Sequence, residues 1–406
     1  MRILYSSNAV WCNTGYGVQG KYLIPRLSAL ECVGGAENVV LYFWYGLSGG
    51  TMRLGPHLAL PGFGGPYGAD LVGEHVKRHG IDAVITLVDV WTQGGVAESV
   101  APATWLPWFP VDTEPVSPRV LEALRGAGAP DGAKVASNVV PVTYSKHGQR
   151  MLADAGVGCA YVPHGVDPSV YRILAPDETM AVDRVGEFTW LEFREFVAPG
   201  ASHLSVMVAA NKGFDRKAFA EQFEAWSRFA SDKPGARLYV HADLLSVENG
   251  PNLQNLANAV GIGDRVIFPD RYSLLMGMYP PEYLALLYNA ADVLIACSKT
   301  EGFGVPLIEA QACGCPVVTT DFASMPELVR HGIAVRPAGR MWHPHLESWW
   351  AVPDVGGIAE AMAQVCGWGS RRVGSRGRDA SAGIHQEFSW DVVSAGWQRV
   401  LEGVKA

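Results

Sequence analysis

The sequence predicts an α/β protein with two domains, each containing a parallel β-sheet covered by helices. Short apolar runs alternate with helical patterns along most of the 406 residues, and alternating strands and helices give parallel sheets with right-handed crossovers. Many of these runs are apolar throughout, which is typical of strands buried on both faces. A chain of this length has room for two or three domains. We therefore expect two similar Rossmann-like domains whose parallel sheets face a central cleft.

The first half of the chain supplies six predicted strands and the helices between them. The strands are RILYSS, VVLYFW, DAVITLVD, TWLPWFPVD, VVPVTYS and AYVPHG. The clearest helical patterns between them are GADLVGEHVKRHG, SPRVLEALRGAG and KHGQRMLADAG.

The second half repeats this scheme. Its predicted strands are HLSVMVAAN, ARLYVHAD, RVIFPD, DVLIACS and CPVVTT. Between the first two, the segment 215–231 carries Phe219, Phe223, Trp226 and Phe229 at helical spacing. This stripe predicts a helix with a buried aromatic face. The chain ends in SWDVVSAGWQRVLEGV, which has the pattern of an amphipathic helix.

The domain boundary is predicted where Pro163, Gly165 and Pro168 cluster in VPHGVDPSVY. We divide the chain into an N-terminal domain of residues 1–166 and a C-terminal domain of residues 167–387. The helical segment 388–406 is expected to pack back toward the first domain. The stretch 175–202 is irregular, and no element is predicted there.

Composition excludes several classes of protein. Hydrophobic residues make up 49% and charged residues 18%, which indicates a globular chain. The net charge of −8 disfavours a strongly basic nucleic-acid binder. No signal peptide is evident and no apolar run has the length of a membrane span. The seven cysteines include no C-x-x-C pair, so neither a zinc site nor a disulfide framework is indicated. We expect a cytoplasmic protein.

One glycine motif allows more than one interpretation. In NTGYGVQG, Gly15, Gly17 and Gly20 have the G-x-G-x-x-G spacing of a dinucleotide-binding turn. Such a turn follows the first strand directly, whereas here seven residues, 8–14, lie between the strand RILYSS and Gly15. Glu37 opens the second predicted strand, although a ribose-binding acid is expected at its end. A dinucleotide site is therefore disfavoured, while a flexible loop and a loop for another ligand both remain open.

The most informative stretch is DVLIACSKTEGFGVPLIEAQACGCPVVTTD, which reads as strand, glycine loop, helix and strand. Pro306 suits the first turn of a helix and Gly314 suits its C-terminal cap, so a helix is predicted over 305–313. Its first N–H groups open onto the loop EGFG, where glycine allows a ligand to approach the backbone. A helix N-terminus of this kind binds anions such as phosphate.

Two carboxylates frame this predicted anion site. Glu301 stands at the mouth of the loop, and Glu309 lies one turn into the helix, on the face shared with Val305, within reach of a sugar diol. The alternative is that both glutamates are solvated and the glycines only form a turn.

The segment EGFGVPLIE resembles the Glu-x7-Glu motif of the retaining GT-B glycosyltransferases of family 4. The similarity continues along YLALLYNAADVLIACSKTEGFGVPLIEAQACGCPVVTTDFASMPELV, and includes VPHGVDPSVY and NTGYGVQGKYLIPRL. It covers nearly the whole chain apart from 175–202 and 335–352. The resemblance implies GT-B architecture, with an acceptor-side first domain and a second domain that binds a nucleotide sugar. It also implies sugar transfer with retention of anomeric configuration.

The resemblance assigns roles to residues of the glycine loops. Glu309 resembles the glutamate that holds the donor ribose, and Glu301 resembles the one that binds the transferred sugar. Backbone N–H groups toward the sugar and diphosphate are implied for Phe303, Gly304 and Val305. Gly15 and Gly17 match a loop whose amides approach the donor.

Basic residues of the donor site are implied by NKGFDRKAF. Lys217 matches the lysine that contacts the diphosphate, and Arg216 is a neighbouring helper. Together these two basic residues form the diphosphate clamp. Asn211 stands where many members of the family have a second arginine, so this clamp has one positive charge fewer. Arg271 follows VIFPD, where the family's backbone meets the nucleotide base.

The first domain supplies a further acid. Asp112 in WFPVDTEP occupies a position that commonly faces the sugar or the acceptor. Asp112 and Glu114 also form D-x-E, a possible metal pair, although the two-domain pattern argues against a metal. His147 and His164 are alternatives for catalysis, but a structural role is more usual for histidines in such positions.

The sequence thus predicts metal-independent transfer from a UDP-, GDP- or ADP-sugar, with no cofactor and with front-face displacement. The acceptor stays open among small molecules, glycans, lipids, proteins and modified nucleobases, and the oligomeric state is unassigned. A nucleotide-sugar epimerase or phosphorylase of the same fold, and a non-catalytic sugar-nucleotide-binding protein, are the alternatives. Glu301, Glu309 and Lys217 are all present, which argues against the non-catalytic alternative.

Overall fold

A computed structural model describes residues 1–127, 132–246, 249–368 and 374–405. The chain forms two compact units. The first consists of Met1–Gly165, Trp342–Trp349 and Trp390–Ala406, and the second of Val166–Met341 and Trp350–Ser389. Gly128, at the end of a predicted helix, and Ala406, at the end of the chain, lie outside the described residues.

The first unit is built on an eight-stranded sheet within the described ranges. Its strands are β1 (Ile3–Asn8), β2 (Val39–Tyr45), β3 (Met52–Leu54), β4 (His57–Pro61), β5 (Ala83–Leu87), β6 (Thr104–Phe109), β7 (Val142–Thr143) and β8 (Ala160–Tyr161). Their order across the sheet is β3-β4-β2-β1-β5-β6-β7-β8. The predicted parallel pairing is confirmed for β1, β2 and β5–β8, and β4, which was not predicted as a strand, also pairs in parallel with β2. The antiparallel pair of β3 with β4 was not predicted.

Five helices of this unit lie between its strands in the part of the chain that the structure describes. They are α1 (Gly15–Ala29), α2 (Val72–His79), α3 (Val96–Val100), α4 (Pro118–Arg125) and α5 (Lys146–Asp154). Every residue of β1 and β5 is buried, as expected for strands with both faces covered.

In its described residues the second unit contains a six-stranded parallel sheet and a short two-stranded sheet, and a further two-stranded sheet has residues in both units. The strands of these three sheets are β9 (Met180–Val182), β10 (Gly186–Phe188), β11 (His203–Val208), β12 (Ala236–His241), β13 (Val266–Ile267), β14 (Val293–Ala296), β15 (Val317–Thr320), β16 (Gly332–Val335), β17 (Gly339–His343) and β18 (Ser348–Val352). The last two form the sheet that has residues in both units. The large sheet has the order β13-β12-β11-β14-β15-β16. Its pairs are parallel, as predicted for β11–β15, whereas the edge strand β16 was not predicted.

The remaining helices follow in chain order. They are α6 (Trp190–Val197), α7 (Phe219–Phe229), α8 (Leu253–Ala259), α9 (Arg271–Leu275), α10 (Pro281–Ala290), α11 (Val305–Ala312), α12 (Val355–Gly367), α13 (Ser375–Phe388) and α14 (Trp390–Lys405). By its contacts α14 belongs to the first unit.

Helix α7 has the predicted buried aromatic face, since Phe219, Phe223, Trp226 and Phe229 are all buried. The helix begins at Phe219, four residues later than predicted. The delay has a backbone cause, because Ala218, immediately before the helix, has a left-handed φ of 49°.

The irregular stretch 175–202 contains the hairpin β9–β10 and helix α6. Helix α6 begins with a capping box: Thr189 Oγ1 accepts from the Glu192 N–H, and the Glu192 carboxylate accepts from the Thr189 N–H at 2.8 Å.

All seven cysteines lie in described ranges, and none of them forms a disulfide there. Among the helices of the described residues, none is both long and apolar enough to cross a membrane.

Candidate functional site

The start of helix α11 forms the centre of the candidate site in the second unit. The chain leaves β14, passes through the loop 297–304 and enters the helix at Val305, close to the predicted bounds. Gly304 has a left-handed φ of 108°, and a Cβ there would lie 3.1 Å from Leu307 Cδ1. Glycine is therefore required at this turn. In the described part of the chain no side chain caps this helix start, so no cap competes with an anion for its first N–H groups.

The loop before the helix is held by the Ser324 side chain, which contacts two of the loop's backbone carbonyls. Ser324 Oγ donates to the carbonyl oxygens of Glu301 at 2.7 Å and Phe303 at 2.9 Å. The Phe303 ring is buried and packs edge-on against Phe388 at 5.7 Å. The packing of this ring leaves only the backbone of Phe303 for a ligand, and a contact of its N–H with the donor stays a prediction.

The carboxylate of Glu301 is held between two cations. Arg216 Nη1 donates to Oε2 at 2.6 Å, and Lys217 Nζ donates to Oε1. Ser298 Oγ donates to Oε1 at 2.6 Å. Burial by itself would raise the pKa of Glu301, but the charges of Arg216 and Lys217 outweigh it and lower the pKa to about 2. Burial also lowers the pKa of Lys217, against the opposing effect of Glu301. The three ionised side chains together have a net charge of one positive unit.

Strained backbone and a second ion pair position the two cations. Asp215 and Ala218 flank the pair with φ of 46° and 49°, a left-handed region that non-glycine residues rarely adopt. Lys299 Nζ donates to Asp215 Oδ2 at 2.9 Å, and the Lys299 N–H donates to the Arg216 carbonyl at 2.8 Å. The loop after β11 is thereby tied to the loop after β14, so Arg216 and Lys217 are placed before any ligand arrives.

Glu309 is in a different environment, although it lies on the same helix. The residue is only 7% exposed. Tyr288 Oη on α10 donates to its Oε2 at 3.0 Å, and the Tyr171 hydroxyl makes a second hydrogen bond. Burial raises the pKa of Glu309 to about 7, and the two hydroxyls oppose this rise only in part. Tyr288 and Tyr171 were not found by sequence reasoning, since neither has a local signal.

Two predicted donor residues, Asn211 after β11 and Arg271 at the start of α9, both contact the segment after β12. Both hydrogens of the Asn211 amide are used by backbone carbonyls, those of Asp243 at 2.7 Å and Pro251 at 2.8 Å. Arg271 Nε donates to Asp243 Oδ1 at 2.7 Å. Both side chains therefore brace the segment after β12, and their contact with a donor stays a prediction. Asp243, at the end of ARLYVHAD, was missed by the sequence analysis.

The structure brings part of the predicted set together. Lys217, Glu301 and Gly304 line one small pocket, together with Ser298 and Pro306. Arg216 joins them through Glu301. Asn211, Arg271 and Glu309 are not among the residues that line it in the described part of the chain.

The prediction of a glycine loop at Gly15 and Gly17 is wrong, because both residues lie in the first turn of α1. Thr14 caps this helix, and its Oγ1 accepts from the Gly17 N–H at 3.1 Å. A Cβ on Gly17 would lie 2.4 Å from the Cys12 carbonyl oxygen, whereas a Cβ on Gly15 would meet nothing within 4 Å. Gly17 thus allows the loop 9–14 to fold against the helix. A donor contact of either glycine stays a prediction.

Asp112 follows β6 in the first unit and is partly buried. Nearby, Tyr16 Oη donates to Asp89 Oδ2 at 3.5 Å. Burial raises the pKa of Tyr144 well above its usual value, and Tyr16, Asp89 and Asp112 raise it further. Tyr16, Asp89 and Tyr144 are polar residues of this cluster that the sequence analysis did not identify.

Glu114 of the D-x-E pair lies beside His147, with 3.9 Å between Oε1 and Nδ1. His147 Nε2 is 3.2 Å from the Thr113 carbonyl oxygen. Burial lowers the pKa of His147 to about 4 and that of His164 to about 3, so both are neutral at pH 7. His164 also stacks on Tyr144 at 4.0 Å. Within the described ranges no three His, Cys, Asp or Glu side chains converge as metal ligands, and metal independence stays a prediction.

Comparison with protein families places the site in a known sequence context. Residues 203–366 match the family described as Glycosyl transferases group 1. This range is less than half of the chain and includes Arg216, Lys217, Glu301 and Glu309.

Two curated relatives are named D-inositol 3-phosphate glycosyltransferase. The one from Mycolicibacterium gilvum (strain PYR-GCK) is 37% identical over 103 residues, which are 25% of this chain and 20% of the relative. The one from Mycolicibacterium smegmatis (strain ATCC 700084 / mc(2)155) is 30% identical over 188 residues, 44% of this chain and 37% of the relative. The chain thus spans less than two fifths of the length of these relatives.

Similarity to solved structures extends over the whole chain. A sucrose-phosphate synthase from Thermosynechococcus elongatus has a TM-score of 0.69 at 16% identity and covers 100% of this chain and 99% of its own. Alr3699/HepE from Anabaena, in complex with UDP and glucose, has a TM-score of 0.66 at 15% identity and covers 100% of both chains. This likeness shows the fold, which is the GT-B fold with two Rossmann-like domains, as predicted.

Proposed function

We propose that this protein is a glycosyltransferase that moves a sugar from a nucleotide-diphosphate sugar to an acceptor with retention of anomeric configuration. The observation that carries the proposal is the cluster of Glu301, Arg216 and Lys217 at the uncapped start of α11. The family match over residues 203–366 and the GT-B fold support transferase chemistry. Retention and the donor class rest on the Glu-x7-Glu pattern.

The charge distribution of this cluster suits a diphosphate. The helix start contributes partial positive charge, and the three side chains contribute one positive unit. When the diphosphate enters, Arg216 and Lys217 exchange part of their contact with Glu301 for phosphate oxygens. Glu301 then becomes available to accept from hydroxyls of the transferred sugar. Glu309 accepts from the ribose hydroxyls.

The chemical step is mainly electrostatic. Negative charge on the leaving diphosphate grows in the transition state, and Lys217 and the backbone amides at the helix start offset that charge. Among the described residues of the cluster we identify no nucleophile for the far face of the sugar, so we favour front-face displacement. The two cations and the helix start offset the diphosphate charge without a metal.

Release of the nucleoside diphosphate tests the function. We expect turnover of one of the UDP-, GDP- or ADP-sugars, and UDP-glucose is the first choice because one solved structure of this fold contains UDP and glucose. Glu301→Gln should lower turnover at least about a hundredfold, while the exposed control Glu224→Gln leaves it unchanged.

Other products of the same assay identify the alternatives. Release of a sugar 1-phosphate with inorganic phosphate indicates a phosphorylase, and recovery of an epimeric donor indicates an epimerase. Tight binding of nucleotide sugars without any turnover, over a panel of small-molecule, glycan, lipid, protein and nucleobase acceptors, indicates a non-catalytic binding protein.

Metal independence is tested by exhaustive chelation. We expect the transfer rate to be unchanged after EDTA treatment, because basic side chains and a helix N-terminus replace the metal. A rate that falls to background and returns only with magnesium or manganese contradicts this mechanism.

A further inference from the structure

The carboxyl group of Glu309 is held by two buried tyrosines from different parts of the second unit. Tyr288 on α10 is fully buried, and its hydroxyl donates to Glu309 Oε2 at 3.0 Å. Tyr171, in the segment after β8, is 5% exposed and supplies the second hydroxyl. A buried carboxylate that accepts from two hydroxyls has a defined orientation before any ligand binds.

Both tyrosines are themselves well anchored. Asn289, next to Tyr288, accepts from the Leu174 N–H at 3.0 Å and donates to the Arg172 carbonyl at 2.9 Å. His385 on α13 contacts the Tyr171 carbonyl at 2.8 Å. The segment that carries Tyr171 is thereby pinned to α10 and α13. The two hydroxyls therefore have fixed positions relative to α11.

We propose that Tyr288 is a positioning residue for donor binding: its hydroxyl orients Glu309 so that the remaining acceptor sites of the carboxylate receive the donor's ribose diol. This inference rests on the proposed function. An ionised carboxylate offers about four acceptor sites. Two are used by Tyr288 and Tyr171, which leaves two for a pair of adjacent hydroxyls.

This arrangement makes donor binding depend on pH. The ionisable groups around the carboxyl are Tyr288 from α10, Tyr171 and Arg172 from the segment after β8, and Cys313 immediately after α11, with His385 of α13 behind Tyr171. Burial raises the pKa of Glu309 to about 7. Below that pH the carboxyl is protonated and loses acceptor capacity, so donor affinity should fall about tenfold per pH unit.

Loss of the Tyr288 hydroxyl should shift this pH dependence. The hydroxyl donates to the ionised form and therefore stabilises it. In Tyr288→Phe the midpoint of the affinity profile should move upward by about one pH unit. A residue that only supports packing would lower the affinity equally at every pH.

The experiment is calorimetric titration with UDP, GDP and ADP from about pH 5.5 to about pH 9, a range that spans the expected midpoint. The matched control is Tyr283→Phe, which removes a buried hydroxyl from the same helix. This hydroxyl is hydrogen-bonded to the Tyr239 hydroxyl at 2.9 Å and not to Glu309, so its loss should not affect the carboxylate. We expect the wild-type profile for Tyr283→Phe and an upward shift for Tyr288→Phe. Ionisation of the nucleotide phosphates affects all variants equally and cancels in this comparison.

The outcomes separate this inference from the proposed function. If the wild type binds none of the three nucleotides, the proposed function fails. If it binds one, and Tyr288→Phe keeps the wild-type midpoint, the positioning role alone is wrong. Should Tyr288→Phe not fold, Tyr171→Phe removes the other hydroxyl, and its midpoint must also rise, or the inference is overturned.

Discussion

Glu301 and Glu309 belong to one motif but have opposite proton affinities. Two cations hold the pKa of Glu301 at about 2, whereas burial among uncharged hydroxyl donors raises the pKa of Glu309 to about 7. Glu301 is therefore ionised and paired with cations, whereas Glu309 must lose its proton before both of its oxygens can accept hydrogen bonds.

The raised pKa of Glu309 predicts an effect on stability. In the unfolded chain a glutamate has a pKa of about 4.3. Between about pH 4.3 and about pH 7, Glu309 is therefore protonated in the folded protein but ionised in the unfolded chain. Glu309 therefore lowers stability progressively as pH rises through this window. Glu309→Gln should raise the free energy of unfolding by on the order of 3–4 kcal/mol at pH 8 and have little effect at pH 4.

Urea unfolding at these two pH values checks this expectation. The exposed control Glu31→Gln should show no such difference between them. An equal effect of Glu309→Gln at both pH values contradicts the raised pKa.

The two cations of the clamp should contribute unequally to turnover. Lys217 has 17% of its side chain exposed and Arg216 has 35%, so the lysine charge is the less screened of the two. Lys217→Ala should therefore reduce kcat more than Arg216→Ala. The assay is nucleoside diphosphate release, with the surface variant Lys77→Ala as the control. If kcat falls only slightly and equally in both variants, other residues contact the diphosphate.

At the scale of the elements, the start of α1 shows how one glycine in a helix is required and its neighbour is not. Gly17→Ala brings a Cβ against two backbone carbonyls, those of Cys12 and Ala9. We expect a loss of about 1–3 kcal/mol in stability from this overpacking. Gly15→Ala meets nothing and should be neutral or stabilise by up to about 1 kcal/mol. Urea unfolding of the two variants checks this, and equal effects contradict the assigned packing.

At the scale of the whole molecule, the first unit is completed by the last helix of the chain. Trp390 and Trp397 of α14 are almost fully buried. Trp390 stacks on Tyr22 of α1 at 5.3 Å, and Trp397 meets Trp108 of β6 edge-on at 5.5 Å. The first unit therefore depends on residues from opposite ends of the sequence.

Trp397→Ala should destabilise the first unit by about 3–5 kcal/mol, because it leaves a cavity against β6. Trp342→Ala, which removes a tryptophan with 48% exposure, should cost less than about 1 kcal/mol. Unfolding by denaturant is followed by circular dichroism, because each variant lacks a tryptophan that would contribute to a fluorescence signal. Similar losses in both variants show that Trp397 does not support the unit as its contacts indicate.

The sequence by itself determined the features that depend on neighbouring residues. Helical spacing of Phe219, Phe223, Trp226 and Phe229 specified the buried face of α7. Pro306 and Gly314 marked the bounds of α11, and continuous apolar runs specified parallel strands. These signals are local, because helix periodicity, capping and strand burial are readable within a short window. The Glu-x7-Glu spacing located Glu301 and Glu309 in the same way.

Only the tertiary structure decided which distant residues surround each glutamate. Tyr171 and Tyr288 reach Glu309, and Arg216 and Lys217 reach Glu301, from elements far away in the chain. The sequence also misplaced Gly17 in a loop, since its contact with the Cys12 carbonyl depends on how the loop folds back. Burial and long-range contacts set these environments, and with them the pKa values of the two glutamates, because desolvation and nearby charge act through space and not along the chain.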